Sequence, residues 1–321
     1  MMLKSFVFVL SCAAATAALA QPAAETAAAA STAVSPVTVQ AAPKPAVVMK
    51  QTHSFVQSFA APSTKIDQFT RWHDPICVLV TGLVPEQAAQ VRARVEEVAK
   101  AVGGRVRKSG CSPNIEIAFT PTPQRLLDNV AAHNEVALGY YHRHDAKTLK
   151  TVTRPIQSWY VTATSGGGGP NAGLVFSQGS AGPLARQLSE RVVDDPDATP
   201  PTGCGDSHFS VCLRSDFENV LVVVDTGRVQ DLSLGLLSDY VVMLALSQPR
   251  SLDGCAALAS VIDVLGAACP GRDKPDGLTP ADAAYLTALY SADLEANRAG
   301  EKTQIADRMA SILSRSGGGR R

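Results

Sequence analysis

The sequence predicts an α+β fold: a mixed sheet with a crossover helix, a long central helix and a helical C-terminal third. Three patterns point to it. Residues 76–80 (ICVLV) and 115–119 (IEIAF) are apolar runs of strand length that flank a helical stripe. A further apolar run at 220–224 leads into a helix from about Leu234. Thr279-Pro280-Ala281-Asp282 then opens the first of two closing helices as a capping box, with proline at the first helical position.

Residues 1–20, MMLKSFVFVLSCAAATAALA, carry one lysine, an apolar run and the small-residue ending Ala18-Leu19-Ala20, the pattern of a secretory signal peptide. A lipoprotein reading would cleave before Cys12, but the apolar run ahead of that residue is short against the usual ~7–15. The expected location is therefore periplasmic or secreted. Residues 21–63 are rich in Ala, Pro, Thr and Ser with few charges and no amphipathic period, so they read as a disordered spacer. Residues 64–314 are long enough for a single domain, and 315–321 (RSGGGRR) read as a disordered tail.

Within the domain, 76–80 is continuously apolar, which predicts a strand buried on both faces. Val91, Val95, Val98 and Val102 mark the buried side of the next helix, and Gly103-Gly104 ends it. In 115–119 the alternation turns Glu116 away from the core. Strand, helix and strand in this order predict a right-handed crossover joining a parallel pair. A short helix is predicted over 124–134, followed by strands at 136–141 and 157–164. Gly166 to Gly169 read as a hairpin tip or lid, because no helix with a supporting lysine follows to make a phosphate loop. In the central helix Leu234, Leu237, Val241 and Leu244 make one apolar face, and in the last helix Ile305, Met309 and Ile312 do so. Trp72 and Trp159 are read as core residues rather than ligand platforms.

Removing Lys4 with residues 1–20 leaves 28 basic against 29 acidic side chains. This balance, with no basic block, argues against nucleic acid or an anionic membrane as partner. No run outside the leader approaches the ~20 apolar residues of a membrane span. Six cysteines remain: Cys77, Cys111, Cys204, Cys212, Cys255 and Cys269. In an exported chain they read as disulfides; fifteen pairings exist, and Cys77–Cys111, Cys204–Cys212 and Cys255–Cys269 would each close a loop between neighbouring elements. Their spacings match no zinc ribbon or finger.

Catalytic constellations are hard to find. The one histidine cluster is His142-Arg143-His144-Asp145, where His142 and His144 on a strand would share a face and could hold a metal with a third ligand such as His208. Solvated surface histidines are the competing reading. Ser238 lacks the second glycine of a nucleophile elbow, and Asp225 reads as a turn cap rather than a base.

Residues 238–246 (SDYVVMLAL), in a helix that follows strand, helix and strands, resemble the HExxHxxGL helix of zincin metallopeptidases. On that pattern Ser238 and Val242 fall at the two histidines and Asp239 at the glutamate. The resemblance implies a zincin-like scaffold without its metal, since neither Ser238 nor Val242 ligates zinc. The stretches RWHDPICVLVTG, NIEIAF, RPIQSWYVTAT and LTPADAAYLTALY are similar to a family of uncharacterised exported proteobacterial proteins, some described as lipoproteins. Peptidase-like relatives in that family carry a His-Glu-Glu helix where this chain has LLSDYVVML. The expectation is a disulfide-stabilised, non-catalytic binding or structural protein that needs no cofactor and meets a protein or envelope partner. The alternative is a metal-dependent, peptidase-like hydrolase with an unconventional site that includes His142 and His144.

Overall fold

Among the described residues, four strands form one mixed sheet in the order β1-β2-β4-β3: β1 (Val78–Thr81), β2 (Ile115–Thr120), β3 (Ile156–Gly166) and β4 (Leu213–Asp225). The first two and β4 run parallel, and β3 is the antiparallel edge. The computed structural model describes residues 45–62, 68–108, 110–139, 146–166, 213–266, 269–292 and 298–318. The predicted α+β class is what the structure has. Among the described residues the helices are α1 (Pro45–Phe59), α2 (Pro85–Ala101), α3 (Pro123–His133), α4 (Ala146–Leu149), α5 (Leu234–Leu246), α6 (Pro280–Tyr290) and α7 (Arg298–Gly318).

The period-2 alternation of the strands divides the core. Ile115, Ile117 and Phe119 of β2, with Val220, Val222 and Val224 of β4, join the principal core, which also holds Val91, Val95 and Val98 of α2 and nearly all of α5. Leu221 and Val223 of β4 and Trp159 of β3 face the other way and pack with Leu127 of α3 and Leu138. Among the described residues, that second layer draws on β3 and β4 of the sheet. Leu79 on the edge strand β1 is 40% exposed, so the strand expected to be buried on both faces is buried on one.

Several boundaries differ from expectation for identifiable reasons. The spacer expected over 21–63 contains α1, whose Val48, Phe55, Val56 and Phe59 are buried and whose Phe55 and Phe59 rings pack against Tyr285. The tail expected from 315 is helical through Gly318 in α7. Of the strand expected at 136–141, residues 140 and 141 lie outside the described residues, and the earlier part is instead a 3-10 turn, Glu135–Leu138, ended by Gly139 in the left-handed region, φ 67°. A Cβ at Gly139 would lie 2.1 Å from the Tyr160 carbonyl oxygen, so glycine lets this turn close against β3. Both long strands begin earlier than their apolar runs. Ahead of its apolar run β4 carries the polar residues Arg214, Ser215, Asp216, Glu218 and Asn219, and the ladder with β3 shifts register between Val161 and Thr162, opposite Glu218.

Cys77 is bonded to Cys111 and Cys255 to Cys269. Cys204 and Cys212 lie outside the described residues. Among the described residues no helix is long and apolar enough to cross a membrane.

Candidate functional site

Helix α5 is where the sequence resemblance places chemistry, and its surroundings can be built residue by residue. Ser233 caps it, its Oγ accepting from the Leu236 N–H at 3.2 Å. From Leu237 to Leu246 every residue is buried, so burial is not confined to the single apolar face read from the sequence. The three positions that the metallopeptidase pattern singles out are engaged internally. Ser238 Oγ donates to the Leu234 carbonyl at 2.7 Å. Val242 is fully buried in the principal core. Asp239, 9% exposed, accepts from Arg94 Nε of α2 at 2.6 Å and from the Leu278 N–H at 2.8 Å.

That carboxylate therefore joins three chain segments. The hydrogen bond to Asp239 holds the Arg94 guanidinium above its ordinary value. Gly277 permits the approach, since a Cβ there would stand 2.8 Å from Asp239 Oδ2. Beside the pair, between α2 and the start of α5, lies an open cleft of about 460 Å³ lined by Gln90, Arg94, Glu97, Ser238, Asp239 and Asp276 among others.

The far end of α5 is closed by side-chain donors. Helix C-termini leave carbonyls without intrahelical partners. Here Tyr160 Oη donates to Leu244 O at 3.0 Å, Trp72 Nε1 to Ala245 O at 2.8 Å and Tyr290 Oη to Leu246 O at 3.0 Å. Burial pushes the Tyr160 and Tyr290 hydroxyls well above the usual phenol range, which keeps them as donors. Trp159 is also a core residue, with Nε1 donating to Leu149 O at 2.7 Å.

A second concentration of polar groups went unnoticed in the sequence. Residues 68–74 form a strap beside the start of β4: the Arg71 N–H meets Ser215 O, and the Phe217 N–H donates to Arg71 O at 3.1 Å. Arg71 is buried, its Nη1 donating to Leu289 O at 2.7 Å and pairing with Glu301 at 3.1 Å, while Glu301 also accepts from the Phe69 N–H. Burial pulls the Arg71 value down and the Glu301 value up, against the mutual attraction of the pair. On the other side of the strap, His73 Nδ1 contacts Asp216, which also receives Arg214 Nε at 3.0 Å. Burial, then the charges of Asp74 and Asp216, push the Glu218 carboxyl up to about 7. Burial and Asp216 raise Asp74 as well, opposed by Arg214, Arg107 and Arg105. The signal available in the sequence was polar: RWHDP precedes one apolar strand and RSDFE another.

His142, His144 and His208 lie outside the described residues. His53 pairs with Asp307 at 2.9 Å, and His133 meets the Asn129 carbonyl of its own helix. Asp225 accepts from the Gly227 N–H at 3.0 Å, a turn-capping geometry. Among the described residues no three His, Cys, Asp or Glu side chains are placed to hold a metal ion. Comparison with protein-family models, with curated proteins and with solved structures found no match.

Proposed function

We propose that this chain is an exported, disulfide-stabilised protein with a non-catalytic binding or structural role on a degenerate metallopeptidase-like scaffold. One observation carries the reading: the α5 positions at which such a scaffold holds its metal and its base are Ser238, Val242 and Asp239, each committed to packing or to bonds within the fold. The order of elements supports the scaffold: strand, helix and strand, then an antiparallel edge strand, a central strand and the buried helix. The leader-like residues 1–20 and the two described disulfides support export.

The test is metal content per mole of oxidised protein purified from a periplasm without a metal-binding tag, before and after exposure to zinc. The expected outcome is no stoichiometric metal in either sample and no peptidase activity. A stoichiometric transition metal that is lost on replacing His142 and His144 by alanine would establish the hydrolase alternative instead.

A further inference from the structure

The two described disulfides sit in unlike surroundings. Cys77 is 5% exposed and its main chain is bonded on both sides: its N–H donates to Asn114 Oδ1 at 2.7 Å, and its carbonyl accepts from the Asn114 and Ile115 N–H groups at 3.0 and 3.1 Å. The Cys77–Cys111 bond therefore reinforces a junction that hydrogen bonds already hold. Cys255 is exposed and, among the described residues, is the one non-glycine with a positive φ, 62°. That left-handed backbone is unfavourable for a residue with a side chain. It is held by the bond to Cys269 and by the Cys255 N–H, which donates to Asp263 Oδ1 at 2.7 Å.

Arg272 bridges the same two segments that this disulfide joins. Its N–H donates to Cys269 O at 3.1 Å and its Nη2 to Ala256 O, the residue after Cys255, at 2.7 Å. Its buried Nη1 has no hydrogen-bond partner among the described residues, and a cation with a donor to spare favours a thiolate over a thiol. The run that starts at Cys269 continues into the cleft beside α5. Lys274 Nζ donates to Val264 O at 2.8 Å, Asp276 lines the cleft, and the Leu278 N–H donates to Asp239.

We propose that Cys255–Cys269 is a thiol-exchange site, opened by a dithiol that attacks Cys255, and that opening loosens the 269–278 wall of the cleft between α2 and α5. Exposure selects Cys255 as the sulfur attacked. One thiol of the reductant loses its proton and bonds to Cys255 Sγ; the bond to Cys269 breaks, and Cys269 leaves as a thiolate that takes up a proton. The second thiol then loses its proton and attacks the reductant's own sulfur in the mixed disulfide. The dithiol departs as a disulfide, two electrons poorer, and both cysteines end as thiols. Release of Cys255 from the left-handed region favours the open form.

The test uses the full oxidised chain in native buffer with graded dithiothreitol, followed by thiol alkylation and peptide mapping that reads each cysteine separately. Cys255 and Cys269 are expected to be labelled at least about tenfold faster than Cys77 and Cys111 while the chain stays folded. With glutathione as a monothiol, the trapped mixed disulfide is expected on Cys255. Hydrogen exchange of the double variant Cys255→Ser and Cys269→Ser, run without reductant, is expected to show protection over 269–278 falling about tenfold while the Cys77–Thr81 region keeps its own. Should that variant fail to fold, the labelling of the parent protein still decides. Equal labelling of the two disulfides, labelling only on unfolding, an adduct mainly on Cys269, or unchanged protection over 269–278 in the folded variant would overturn the proposal.

Discussion

Gly82, directly after β1, has φ 83°, and a Cβ built on it would lie 1.8 Å from the Phe119 carbonyl oxygen. Two independent penalties, the left-handed backbone and a clash with main chain that no rotamer relieves, apply to any side chain there. Gly82→Ala is therefore expected to lower unfolding free energy by about 2–4 kcal/mol, read as a lower urea midpoint at unchanged slope. An unchanged midpoint would mean that this turn relaxes freely. Other single residues matter because of what they touch: Trp72 fills the core against Phe217 and also satisfies Ala245 O at the end of a buried helix. The sequence showed such a tryptophan as an apolar body; its hydrogen-bond partner, 173 residues away, is a property of the fold.

At the scale of elements, legibility followed locality. The capping box that opens α6 was readable because all its atoms lie within four consecutive residues: Thr279 Oγ1 accepts from the Asp282 N–H at 3.0 Å, and Asp282 accepts in return from the Thr279 N–H. Asp282 also accepts from the Val261 N–H at 2.8 Å, which ties the 3-10 turn Val261–Val264 to the start of α6. Thr279→Ala is expected to cost about 1–2 kcal/mol of unfolding free energy, at the upper end for a cap because Thr279 Oγ1 also donates to Ala259 O. Thermal or urea unfolding reads this directly, and no measurable loss would show that the cap is redundant. Less legible were elements set by distant partners. Helix α1 lies in a stretch whose composition resembles a tether, and its apolar residues acquire meaning only against Tyr285 and α7. The 3-10 turn Glu135–Leu138 looks like a strand in sequence because Val136 and Leu138 are both apolar, yet Val136 is exposed and Leu138 buried. In the cluster of Asp74, Asp216 and Glu218, residues about 140 positions apart in sequence meet only once β4 is laid beside the strap.

Among the described residues the fold is organised around α5. The sheet packs on it, α2 is tied to its beginning through Arg94 and Asp239, and buried donors from the strap, β3 and α6 close its end. The metallopeptidase resemblance places reactive groups on this helix, and the structure gives the same positions internal partners. Asp239 is the point at which the two roles differ most sharply. As a base it would be dispensable to folding; as the joint between α2, α5 and the run into α6 it is required. The most direct measurement is urea unfolding of Asp239→Asn beside the parent protein, with Arg94→Gln and the double variant completing the cycle. A loss of about 1.5–3 kcal/mol for Asp239→Asn, most of it shared with Arg94→Gln, is the predicted result. Unchanged stability for Asp239→Asn would contradict the structural role and return that carboxylate to the list of groups free for chemistry.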